Sequence, residues 1–186
     1  ERRERLRDRL LNTPISLPAN PVPEPDLSGA VRHEVTLGGG MMGSMAGAMV
    51  DGRMTDMRTL LRQGMAWAIN GVSSGGADRH GGGDAGHVMA PILTVTRGRT
   101  CVIAMANETA WPHPMHLHGH FFELVNGHDG HQPLKHTVNV APGGKVTFDL
   151  TADAPGDWAF HCHLLMHMHA GMFNVVTVRP LAGAAS

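Results

Sequence analysis

Two short stretches hold most of the side chains able to do chemistry: residues 112–120 (PHPMHLHGH) and residues 161–172 (HCHLLMHMHAGM). They contain His113, His116, His118, His120, His161, His163, His167 and His169, eight of the fourteen histidines, together with Cys162 and Met172. Imidazole and thiol this dense in sequence is the pattern of a metal site, not of scattered packing histidines. Backbone geometry sorts the ligands. Successive side chains of an extended strand leave opposite faces, so His161 and His163 share one face and Cys162 takes the other. His116 and His118 likewise share a face. His113 is expected to arrive from the preceding turn, its approach stiffened by Pro112 and Pro114.

One centre then collects His113, Cys162 and His167, with Met172 as a more distant donor. Two imidazoles, a thiolate and a thioether make a trigonal set with a weak axial ligand, which suits copper. Zinc also takes Cys and His, but its structural sites close a tetrahedron with better fourth donors than a thioether. A second centre would use His116, His118, His161 and His163, four imidazoles without a carboxylate, again a better match to copper than to hydrolytic zinc. Cys162 is bonded through the backbone to His161 and His163, so these three are the candidate catalytic residues. The covalent path between the two centres is about 10 Å, at about 3.3 Å per residue, and can carry single electrons. A metal-bound thiolate is not free to act as a nucleophile, which disfavours a cysteine-protease reading.

The elements that must position these ligands are short β-runs. Residues 92–96, 100–106, 121–125, 137–140, 145–150, 157–161 and 172–178 alternate or run apolar. Turn signals such as Asn126-Gly127, Pro142-Gly143-Gly144 and Pro155-Gly156 separate them. Regular short strands with such punctuation predict an all-β Greek-key sandwich or barrel. Residues 164–170 lack alternation and fit one helical turn. Upstream, 31–37 and 66–70 read as strands. Between them, seven methionines fall within residues 41–65. That stretch reads either as a partly helical insertion whose methionines are adaptable filler or as a thioether cluster able to hold Cu(I). Residues 1–10 fit an Arg-rich solvated helix, and 12–25, with five prolines, an extended linker.

Composition removes several classes of function. Fifteen basic against sixteen acidic residues leave a formal charge of −1, which gives no electrostatic reason to expect nucleic acid or an anionic membrane as partner. No apolar run is long enough to span a bilayer. Two cysteines in 186 residues are too few for a disulfide framework, and Cys101, within a predicted strand, reads as buried filler. The chain opens at Glu1, without a leader pattern, as expected of a processed chain or of a piece of something longer.

With these motifs in hand, the sequence resembles the C-terminal cupredoxin domain of a multicopper oxidase, the family of laccases and bacterial copper-resistance oxidases. The resemblance covers residues 66–180 and rests on HPMHLHGH and HCHLLMHMHAGM in order and spacing. It implies a cupredoxin-like domain over 66–186, with 1–65 as interdomain linker and Met-rich insertion. It also implies that His113, Cys162, His167 and axial Met172 bind a type 1 copper. His116 would bind the type 2 copper, and His118, His161 and His163 the binuclear type 3 pair, with His120 and His169 outside the ligand set. Oxidation of a reductant, Cu(I) or phenol-like, would then be coupled to reduction of O2 to water in a periplasmic or extracytoplasmic setting of copper resistance. The family's trinuclear cluster draws half its imidazoles from two further His-x-His motifs. This chain has no second such pair, since His33, His80 and His87 are isolated and His128 and His131 are two residues apart. An N-terminal cupredoxin domain of the same enzyme, or a partner subunit, is therefore expected to supply them. Some relatives carry a carboxylate just after the second type 1 histidine; here Met168 stands there. Competing expectations are a non-catalytic blue-copper electron carrier and a copper-sequestering module.

Overall fold

Thr100 to Asn107 shows how the sequence builds its sandwich: Cys101, Ile103 and Met105 point inward and are almost fully buried. The computed structural model describes Thr13, residues 15–18, Val22 and residues 24–40, 45–74, 90–125 and 132–181. The predicted N-terminal helix and His80, His87, His128 and His131 lie outside the described residues.

In chain order the strands are β1 (Val31–Gly39), β2 (Gly47–Val50), β3 (Arg53–Asp56), β4 (Trp67–Ile69), β5 (Leu93–Thr96), β6 (Thr100–Asn107) and β7 (His113–Leu117). They continue as β8 (Phe122–Leu124), β9 (Leu134–Lys135), β10 (Thr137–Val140), β11 (Lys145–Thr151), β12 (Gly156–Cys162) and β13 (Phe173–Arg179). Helix α1 (Met57–Arg62) follows β3, and α2 (Leu165–His169) follows β12. Among the described residues one sheet runs β4-β1-β6-β11-β8-β9, a second runs β10-β7-β12-β13-β5, and β2 and β3 form a small hairpin. Apolar side chains from both large sheets meet in one core, among them Ile103, Phe148 and Leu150 from the first and Met115, Phe160 and Val176 from the second. Phe122 stacks on Phe148 with centroids 4.1 Å apart. Every strand expected from 92 onward is present, and residues 164–170 contain the short helix α2.

The stretch read as linker and insertion contributes to the sandwich itself: β1 pairs in parallel with β6 from Val31↔Cys101 to Leu37↔Asn107. The alternation of β1 buries Val35 and Leu37 in the main core, so the folded unit starts before residue 66. The Met-rich stretch is partly helical, as expected, with β2 and β3 forming a hairpin before α1. Asp56 caps α1 by accepting from the Thr59 N–H at 3.1 Å. Ala48, Val50, Leu60, Met65 and Ala68 close a satellite core, against which Met45 and Met57 pack. Met54 is exposed.

Candidate metal centre

Strands β7 and β12 lie side by side, and their register decides where each ligand points. Phe160 pairs with Leu117, His161 with His116, and Cys162 with Met115. The ladder extends beyond β12 through the His163 N–H, which donates to the Pro114 carbonyl at 2.7 Å. Residues directly opposite share a face, so His116 and His161 stand together, with His118 and His163 beside them. The other face carries His113, Met115, Leu117 and Cys162 into the interior. His113 is the first residue of β7, paired with Val140 of β10, rather than part of the preceding turn. The period of two thus puts one ligand set on each side of a single pair of strands.

On the buried side, His113, Cys162 and His167 bring their ligand atoms within 4.8 Å of one another. Cys162 Sγ lies 3.7 Å from Nδ1 of each histidine, and the two Nδ1 atoms are 3.1 Å apart. Met172, fully buried, is tied to the same loop: its N–H donates to the His167 carbonyl at 3.0 Å and its carbonyl accepts from the Cys162 N–H at 3.1 Å. Burial holds His113 neutral, its pKa pushed down to about 4, with the neighbouring His167 adding to the effect. Burial also lowers His167. It pushes the Cys162 thiol up to about 11, against a smaller opposing contribution from the Leu164 N–H. A thiolate buried here needs a cation beside it, and two neutral imidazoles stand ready with it. The donor set of two nitrogens and one sulfur fits a trigonal copper site.

On the opposite side, His118 and His163 are exposed while His161 is buried. His116 Nδ1–H donates to the His136 carbonyl at 2.7 Å, and His161 Nδ1–H to the Cys162 carbonyl at 3.0 Å. Each bond leaves an Nε2 lone pair free for a metal, the usual way a ligating imidazole is oriented. Nε2 of His118 and His161 lie 2.9 Å apart. His116 and His163 stand with ring centroids 5.5 Å apart. Burial comes first in lowering His116, His118 and His161, and neighbouring histidines push the same way. Among the described residues, only the buried trio gathers three such ligand atoms within 4.8 Å. The four outer imidazoles form an open array.

Several positioning residues have no signature in the sequence. Trp67 of β4 lies 5.0 Å from the His113 ring and 4.4 Å from the His167 ring, between centroids. Its strand is strapped to the ligand loop by the Ala66 and Trp67 N–H groups, which both donate to the Ala170 carbonyl at 2.8 and 3.0 Å. At Gly171, φ is +117° and a Cβ would overlap the Trp67 carbonyl and Ser73 Oγ, so only glycine lets the strap close. Thr109 Oγ1 lies 2.8 Å from His113 Nε2. His120, which the sequence left outside the ligand set, is buried, with Nδ1 3.2 Å from the His118 carbonyl and Nε2 3.7 Å from Asp153. Spacing could not have found Trp67, because its contacts are made by the fold across the sandwich. The exposed His169 lies at the end of α2.

Comparison with known proteins agrees with this donor chemistry. A family model described as multicopper oxidase matches residues 55–182, more than half of the chain. Copper resistance protein A of Escherichia coli is 40% identical over 113 residues, 61% of this chain and 16% of that protein. The multicopper oxidase MmcO of Mycobacterium tuberculosis is 40% identical over 80 residues, 43% of this chain and 16% of its own length. Among solved structures, a multicopper oxidase from Pseudomonas thermotolerans superposes with a TM-score of 0.63 at 25% identity, over 90% of this chain and 34% of that one. The chain thus spans about a sixth of these curated relatives. The sandwich is cupredoxin-like, and with the match extending across both histidine motifs, the chain belongs to the multicopper oxidase family.

Proposed function

We propose that this chain supplies the type 1 copper site and half of the trinuclear cluster of an oxidase that couples one-electron oxidation of a reductant to four-electron reduction of O2 to water. Copper is the cofactor of the family; when bound, it supplies one-electron redox chemistry at the type 1 site and O2 reduction at the trinuclear cluster. The observation that carries the reading is the β7–β12 register, which sets four imidazoles back to back with the His113–Cys162–His167 trio. A lone electron carrier explains the trio but gives the four outer imidazoles nothing to do.

Each residue then has a task. His113, Cys162 and His167 would hold the type 1 metal, with the Met172 thioether as a further donor, and Trp67 packs against both imidazoles. His167, the one member of the trio that is only partly buried, would be where electrons from a reductant enter. The backbone that joins Cys162 to His161 and His163 would be the covalent path between the two centres. His116 would hold the type 2 copper, and His118, His161 and His163 the type 3 pair, with Nδ1 of His116 and His161 tied to carbonyls. The open array on the outer face calls for four more imidazoles from an N-terminal cupredoxin domain of the same enzyme or from a partner subunit. Packing of Met45, Met57 and Met65 into the satellite core favours a phenol-like reductant over Cu(I). The family kinship with copper resistance proteins supports an extracytoplasmic, periplasmic setting in copper homeostasis.

The test loads the purified chain with copper and compares Cys162→Ser with His116→Ala. Cys162→Ser should abolish the intense blue band, while His116→Ala keeps it. A blue band that survives Cys162→Ser would contradict the assignment of the trio.

A further inference from the structure

We infer that Asn107 and Thr109 form a proton-direction lock that holds His113 in the Nε2–H tautomer, so that its Nδ1 lone pair is presented to the metal before any metal arrives. The inference deepens the copper reading of His113 and rests on it. Asn107, Thr109 and His113 are all buried, at 2%, 5% and 0% exposure, so each polar atom must be satisfied within the protein.

The direction of every bond follows from groups whose roles are fixed. Asn107 Nδ2 lies 2.7 Å from the Trp111 carbonyl and 3.0 Å from those of Val140 and Ala141, all acceptors. Asn107 Oδ1 accepts from the Thr109 N–H at 3.0 Å. Flipping the amide would set its oxygen against three carbonyls and its NH2 against an N–H, so Oδ1 is held as an acceptor. That oxygen lies 2.8 Å from Thr109 Oγ1 and takes the hydroxyl proton. The Trp111 carbonyl, 3.1 Å from Oγ1, is a second acceptor for that same proton, and Oγ1 itself accepts from the Trp111 N–H at 3.2 Å. With its single proton committed, Oγ1 has one acceptor site left, and His113 Nε2 is 2.8 Å away. Nε2 must therefore carry the ring proton. Nδ1, 3.7 Å from Cys162 Sγ, is left bare.

Thr109 is thus a positioning residue acting through His113. A second imidazole orientation would require breaking a chain of three buried residues, Asn107, Thr109 and His113, and imidazole partners of this kind govern both ring orientation and ligand basicity.

The test uses the full chain, metal-free, with 15N-labelled histidine, and reads the His113 tautomer from long-range nitrogen–proton correlations. The wild type should show Nε2–H. Thr109→Val should lose that single tautomer and bind Zn(II), a redox-inert probe of the trio, roughly 10–100-fold more weakly. Thr109→Ser, which keeps the hydroxyl, should restore both. An Nδ1–H tautomer in the wild type overturns the lock by itself, whether or not any variant folds. Equal tautomer and affinity in wild type and Thr109→Val would overturn it too. A wild-type chain with the Nε2–H tautomer but no affinity of the trio for metal would instead defeat the copper reading and leave the tautomer lock standing.

Discussion

Binding of a metal to the buried trio should release one proton, and that proton comes from Cys162. Burial pushes the thiol up to about 11, so the metal-free site holds S–H throughout the neutral range. His113, pushed down to about 4, is already deprotonated there and contributes nothing. A cation that takes the thiolate must displace this proton. Apparent affinity therefore rises with pH until the thiol ionises on its own, by about tenfold or about 1.4 kcal/mol per pH unit. Zn(II) avoids oxidation of the thiol. Isothermal titration in two buffers of different ionisation enthalpy counts the protons directly, and Cys162→Ser provides the reference for metal taken by other histidines. Wild type should release about one proton more than the variant between about pH 7 and pH 9. An equal count in both proteins, or an affinity independent of pH, would mean that Cys162 does not ligate or is a thiolate beforehand.

Three further outcomes follow from the same geometry. With the His113 pKa lowered from 6.5 to about 4, the unfolded chain binds more protons across that interval, so the metal-free protein loses stability as pH falls through it. At 1.36 kcal/mol per unit the loss is about 3 kcal/mol, read as a lower urea midpoint at acid pH; an unchanged midpoint would refute it. Gly119, at φ +70°, packs where a Cβ would overlap the Trp158 ring. Gly119→Ala should cost about 1–3 kcal/mol in thermal unfolding and alter Trp158 fluorescence, and a neutral effect would argue against that packing. Met172→Leu should retain the blue colour and raise the type 1 potential, since a weak electron donor is lost; voltammetry showing no change would remove Met172 as axial ligand.

Much of the site was legible because a strand's period of two is a local property. His161-Cys162-His163 announces two faces whatever the fold, and the register of β7 against β12 brings His116 opposite His161. The strands from 92 onward could be read from alternation and turn residues for the same reason. Long-range pairing was not legible. Nothing in residues 31–37 says that they add in parallel to β6, and a parallel pair joined over more than sixty residues leaves no turn signature. Trp67 reaches His113 and His167 only because β4 is strapped to the ligand loop. Thr109, four residues before His113, sat in plain view, yet its role depends on the Asn107 amide being pinned by carbonyls of a different strand and turn. The methionines of 41–65 were ambiguous because thioether packing and thioether ligation use the same residue, and burial of Met65 is a matter of tertiary contact.

On the proposed reading, the β7–β12 pair carries a complete mononuclear site on its inner face and half of a polynuclear site on its outer face. Copper stoichiometry on the loaded chain, with electron paramagnetic resonance and visible absorbance on the same sample, tests it most directly. One tightly held copper per chain is expected, with an intense blue band and a type 1 resonance, and no coupled type 3 pair until a protein bearing two His-x-His motifs is supplied. A tightly held copper without the blue band, or a coupled pair assembled by the chain alone as a monomer, would contradict it.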